Sequence, residues 1–153
     1  MLRVTAISLF LLLTGCSSAK RDTELERQPI PAAWTADVQG MVGTEPAGFA
    51  TVTALPDGET RANITLRGGS TDGRHAWRIR EGLCPEGDAE PDPTGSEVGG
   101  ESDYPVLEPN DNGNASGTAS LPVMLEKGAE YHVDVYETEN ADVVVACGDL
   151  QET

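Results

Sequence analysis

Three stretches of this chain alternate apolar and polar residues with a period of two, and each is closed by turn-forming residues. Phe49-Ala50-Thr51-Val52-Thr53-Ala54-Leu55 runs into Pro56-Asp57-Gly58. Arg61–Arg67 places Ala62, Ile64 and Leu66 on one face before Gly68-Gly69. His75–Arg80 places Trp77 and Ile79 on one face and Arg78 and Arg80 on the other. A period of two is the mark of a strand with unlike faces, and the glycine, proline and asparagine punctuation lets the chain reverse. Trp34–Val38, Ala115–Leu121, Tyr131–Tyr136 and Val143–Cys147 extend the pattern. About seven or eight short antiparallel strands at this spacing predict an all-β fold, a Greek-key β-sandwich or flattened barrel. The 17 glycines and 10 prolines suit such a turn-rich chain. Aromatic residues make up only 5%, so the core must rest on valine, leucine, isoleucine and alanine.

The first residues obey a different rule. In MLRVTAISLFLLLTGC, Arg3 precedes an apolar run from Val4 to Leu13, the length of a signal-peptide core and short for a membrane span. Leu13-Thr14-Gly15-Cys16 resembles the bacterial lipobox. That resemblance implies a signal peptide over 1–15 and a lipid-bearing Cys16 at the head of the mature protein. Multiple acyl chains, at about 0.8 kcal/mol per buried methylene, would make the membrane its first partner. The polar stretch 16–31, closing on Pro29 and Pro31, reads as a tether, and 32–153 as the folded domain. The expected location is the cell envelope. Ser17, where inner-membrane lipoproteins carry Asp, favours the outer membrane if the cell has one.

Charge narrows the remaining partners. The formal net charge of −16, from 26 acids against 10 bases, repels phosphate backbones and argues against nucleic acid. Many of the acids crowd the aperiodic segment Gly82–Asn114, including Glu86, Asp88, Glu90, Asp92, Glu97, Glu101 and Asp103. These could offer oxygen ligands to Ca²⁺, although they lack the spacing of a known calcium loop; a solvated acidic face is the simpler expectation. With Cys16 committed to lipid, Cys84 and Cys147 remain as an even pair, expected to be bridged in an oxidising compartment. Closing a loop of 63 residues (147 − 84) would contribute roughly 4 kcal/mol. No Gly-x-Ser-x-Gly elbow supports hydrolase chemistry. His132, with no Cys or His near it in sequence, reads as an ordinary strand histidine.

His75-Ala76-Trp77-Arg78-Ile79-Arg80-Glu81-Gly82-Leu83-Cys84 resembles the metal-binding strand of the Cu/Zn superoxide dismutases, His-Gly-Phe-His-Ile-His-Glu with a cysteine soon after. Val145-Ala146-Cys147-Gly148-Asp149-Leu150 is similar to that family's closing Ala-Cys-Gly-Val-Ile. Asp134-Val135-Tyr136-Glu137 resembles Val-Val-His-Glu, and Asn112–Gly117 a glycine-rich hairpin. The likeness extends over roughly 34–150 and implies a β-barrel in which the same two cysteines are bridged.

The departures bear on function. The positions of three copper histidines fall on Arg78, Arg80 and Tyr136, and that of the superoxide-steering arginine on Val144. The segment 82–114 contains no histidine, and His75 matches a position that is structural in the family. Guanidinium groups repel cations and do not deprotonate near neutral pH. The expectation is therefore a metal-free, cofactor-free, non-catalytic relative acting as a binding or structural module for a small-molecule or protein partner. The alternatives are a diverged dismutase with residual metal chemistry and a calcium-binding loop. Arg78, Arg80 and Tyr136 are expected either to form an anion pocket or, more simply, to pin the acidic loop to the outside of the barrel. Exposed pairs of that kind contribute about 0–1 kcal/mol each.

Overall fold

A computed structural model describes residues 31–41, 44–85, 95–140 and 143–153. The lipobox, Cys16, nearly all of the tether and the acids Glu86, Asp88, Glu90 and Asp92 lie outside the described residues. Eight strands follow in order: β1 (Ala33–Gly40), β2 (Ala47–Ala54), β3 (Thr60–Arg67), β4 (Trp77–Glu81), β5 (Ala115–Leu121), β6 (Tyr131–Tyr136), β7 (Val144–Asp149) and β8 (Gln151–Glu152). A single 3₁₀ turn, Glu101–Asp103, sits between β4 and β5, and no α-helix occurs among the described residues.

The strands form one antiparallel sheet in the order β4-β6-β7-β1-β2-β3-β5, with β8 paired to the start of β1, and the sheet curls into a half-barrel. β1 makes the corner. Its residues Ala33–Val38 pair with β2, while Gln39 and Gly40 pair with Cys147 and Ala146 of β7. Close approach at this corner needs a bare backbone: a Cβ on Gly148 would lie 2.6 Å from the Asp37 carbonyl oxygen. Consecutive strands β1-β2-β3 are neighbours, whereas β3 to β4, β4 to β5 and β5 to β6 each cross from one side of the sheet to the other.

Alternation delivers the core as expected on β1 (Trp34, Ala36, Val38) and β3 (Ala62, Ile64, Leu66), whose intervening side chains are mostly exposed. β6 departs from it. All six of its residues are buried, because the inner face (Val133, Val135) packs in the core and the outer face is covered by chain.

The cover is the aperiodic segment. From 95 onward it folds back on the barrel and contributes Val98, Tyr104 and Leu107 to the main core. Leu107 exchanges two backbone hydrogen bonds of 2.9 Å with His75, and the Trp77 indole donates to the Pro105 carbonyl at 2.9 Å. Gly117 on β5 leaves room for it, since a Cβ there would meet Leu107 at 2.9 Å and the Trp77 indole nitrogen at 3.3 Å. The segment thus fills the space between β4 and β5, the two end strands of the sheet.

Candidate functional site

The outer face of β4, β6 and β7 is a small grid set by register. One rank is Arg78, Asp134 and Cys147; the next is Arg80, His132 and Asp149. Tyr136 follows beside Val144, where the β6–β7 ladder shifts register. The period of two that sends Trp77 and Ile79 inward therefore places Arg78, Arg80, His132, Asp134 and Tyr136 on one covered surface, while Glu81 ends β4 on the other parity and is exposed.

Both arginines lie on the outer face beneath the returning segment and bond it, in line with the loop-pinning expectation. Arg78 is only 7% exposed, however, so the expectation that its ion pairs are exposed is corrected. Arg78 faces outward from the sheet, but the returning segment buries it. Its guanidinium donates to the Trp77 carbonyl at 2.8 Å and pairs with Glu101 at 3.1 Å and Glu97 at 3.5 Å. It also lies 5.4 Å from the centre of the Tyr104 ring, which meets Trp77 edge-on at 5.0 Å. Tyr104 is itself fixed, its hydroxyl donating to the Val98 carbonyl at 2.6 Å and accepting from the Ile79 amide at 3.2 Å. Burial pushes its phenol well above the ordinary value of 10, and the charges of Glu97 and Asp103 add to the rise.

Arg80 reaches the other way. It donates to the Tyr136 hydroxyl at 3.0 Å and to the Gly95 carbonyl at 2.9 Å, and pairs with Asp134 at 3.6 Å. Burial raises the Tyr136 phenol above 10 against the lowering effect of the Arg80 hydrogen bond. Asp134, 2% exposed, also lies 3.5 Å from the His132 ring. That ring donates from Nδ1 to the Gly82 carbonyl at 3.0 Å. Burial disfavours charge on His132, yet Asp134 and the Gly82 carbonyl outweigh it and raise its pKa above 6.5. Glu81, the other acid beside the pair in sequence, is exposed and forms no ion pair among the described residues.

Cys84 and Cys147 are bridged, with Cα atoms 6.0 Å apart, and the Cys84 amide donates to Asp149 at 2.7 Å. The bridge brings the first residues after β4 onto the same outer face. His75 closes the far end, its Nδ1 2.9 Å from the Tyr136 carbonyl while Nε2 is buried without a partner.

Copper or zinc would need imidazole or thiolate donors at about 2 Å. The Arg78, Arg80 and Tyr136 side chains do not fit such an ion, since two are cations and the phenol is held protonated. The described half of the acidic loop is also engaged: Glu97 and Glu101 face Arg78, and Asp103 accepts the Gly100 amide at 2.8 Å. Sequence reasoning missed Tyr104 and Gly95 as partners, because isolated residues in an aperiodic segment give no signal of where they pack. No helix among the described residues is long and apolar enough to cross a membrane. No family model matches the chain, and no curated protein matches it.

Proposed function

We propose that this chain is a lipid-anchored envelope protein whose barrel is a metal-free, non-catalytic relative of the Cu/Zn superoxide dismutases, serving as a binding or structural module. The observation that carries the reading is the interlocked state of Arg78, Arg80 and Tyr136, at positions where the resembling family holds copper. Arg80 bonds Tyr136 directly, and both arginines fasten the returning loop through Glu97, Glu101 and the Gly95 carbonyl. Such an arrangement stabilises a closed surface and offers a cation no donors at those three side chains. The anchor rests on Arg3, the Val4–Leu13 run and Leu13-Thr14-Gly15-Cys16.

The test is metal content. Purified protein with its disulfide intact is dialysed against Cu²⁺ and Zn²⁺, then against buffer, and analysed for metals. The reading expects far less than one equivalent of either. A stoichiometric, non-dialysable metal in the oxidised protein would overturn it in favour of a diverged enzyme, and retained calcium in a parallel dialysis would move the function to the acidic loop.

A further inference from the structure

The disulfide stands among donors that it does not use. Ligand atoms of His132, Asp134 and Cys147 all lie within 4.8 Å of one another, and the Cys84 sulfur, outside that group, is bonded to that of Cys147. We propose that reducing this bridge converts the spot into a Cys84–Cys147–His132–Asp134 site for a tetrahedral divalent cation of zinc type.

Four features carry the inference. The donor set is two sulfurs, one imidazole and one carboxylate, the chemistry that tetrahedral zinc takes. The His132 Nδ1 already bonds the Gly82 carbonyl, which can only accept, so Nδ1 keeps its proton and Nε2, facing Asp134 at 3.5 Å, is the nitrogen that a cation would take in place of a proton. That backbone contact is the outer partner that orients metal-binding histidines generally. The spacing is close, with the three ligand atoms within 4.8 Å of one another. Bonds of 2.0–2.3 Å place tetrahedral ligands about 3.3–3.8 Å apart, and His132 Nε2 and Asp134 already stand at 3.5 Å. Finally, the charges balance: two thiolates and a carboxylate around a divalent cation leave one negative charge, and the Arg80 guanidinium lies 3.6 Å from Asp134 to meet it. In the oxidised protein neither sulfur is a thiolate, so the site exists only after reduction.

The chemistry closes. A dithiol gives two hydrogens to the Cys84–Cys147 bond and becomes a disulfide itself; the two cysteine thiols then release two protons as the cation binds. This inference does not rest on the proposed function, which concerns the oxidised protein and none of the four ligand side chains.

The experiment uses the full-length chain carrying Cys16→Ser, which removes the third thiol. The protein is reduced with a phosphine, which takes up oxygen from water as the bridge gains two hydrogens, and is titrated with Co²⁺ and then Zn²⁺. The expected result is one equivalent of Co²⁺ with sulfur-to-metal charge-transfer and tetrahedral d–d bands, bleached by Zn²⁺, and no such bands in the oxidised protein. His132→Gln and Asp134→Asn should each weaken binding by at least roughly 10–100-fold, the loss that even outer partners cause. If reduction loosens the fold, the bands should return together with native near-ultraviolet dichroism when metal is added. Three results would overturn the proposal: a folded, reduced protein without bands, bands in a chain that stays unfolded, or affinity unchanged in His132→Gln.

Discussion

Replacing Arg78 with methionine keeps most of the aliphatic stem and removes the charge. Four groups then lose a partner. The Trp77 carbonyl loses a charged donor at 2.8 Å, an interaction that contributes about 1.5–3 kcal/mol. Glu97, with a side chain only 25% exposed and one carboxylate oxygen buried without a hydrogen bond, loses the cation at 3.5 Å. The Tyr104 ring loses a cation–π contact of about 0.5–2 kcal/mol. Glu101 adds little, since its side chain is 78% exposed and such pairs contribute about 0–1 kcal/mol. Breaking a fully buried pair costs about 3–5 kcal/mol, and Glu97 retains some water, so Arg78→Met should destabilise by about 2–4 kcal/mol. Urea unfolding should show a lower midpoint with an unchanged slope. Adding Glu97→Gln should recover part of the loss, giving a coupling energy of about 1–2 kcal/mol in the double-mutant cycle. A single variant within about 0.5 kcal/mol of wild type, or additive single effects, would refute the buried-anchor reasoning.

Other consequences follow from the same cover. Leu107→Ala removes a fully buried side chain from the returning segment and should cost about 2–5 kcal/mol by denaturant unfolding; a value under about 1 would mean that the segment is not part of the core. Tyr104 is held protonated in the folded protein, so its contribution to stability is intact below pH 10 and declines as pH rises from there toward its raised native pKa. In Tyr104→Phe the alkaline fall of the thermal midpoint should be shallower, and an unchanged slope would count against it. Cys16→Ser should shift the protein from the detergent-soluble membrane fraction to an unprocessed or released form, and an unaltered membrane fraction would remove the lipid anchor from the proposal.

What was legible in the chain follows from how local each signal is. Alternation along Ala62-Ile64-Leu66 and Trp77-Ile79 needs only neighbours in sequence, and both strands lie where it placed them. Counting was enough for the Cys84–Cys147 bridge. The burial of Arg78 was hidden because the chain that covers it has no period: Val98, Tyr104 and Leu107 are separated apolar residues whose packing depends on the way 95–107 folds back. Nothing in the sequence of Tyr131–Tyr136 reveals the cover that buries its outer face. His132, with no cysteine nearby in sequence, acquires Cys147 as a neighbour only through the β6–β7 pairing, a contact between distant segments. That juxtaposition is the feature of the site that sequence reasoning most clearly lacked.

The most direct test of the non-catalytic reading is superoxide decay, coupled to xanthine oxidase, in the presence of added copper and zinc. It is run on oxidised wild type and on the Arg78→His/Arg80→His variant. The protein should not accelerate decay beyond the free metals in either form, because Tyr136, Val144 and the histidine-free segment remain unchanged. Metal-dependent turnover by wild type would contradict the reading outright, and turnover by the variant alone would show that two residues, not the whole site, separate this chain from a working dismutase.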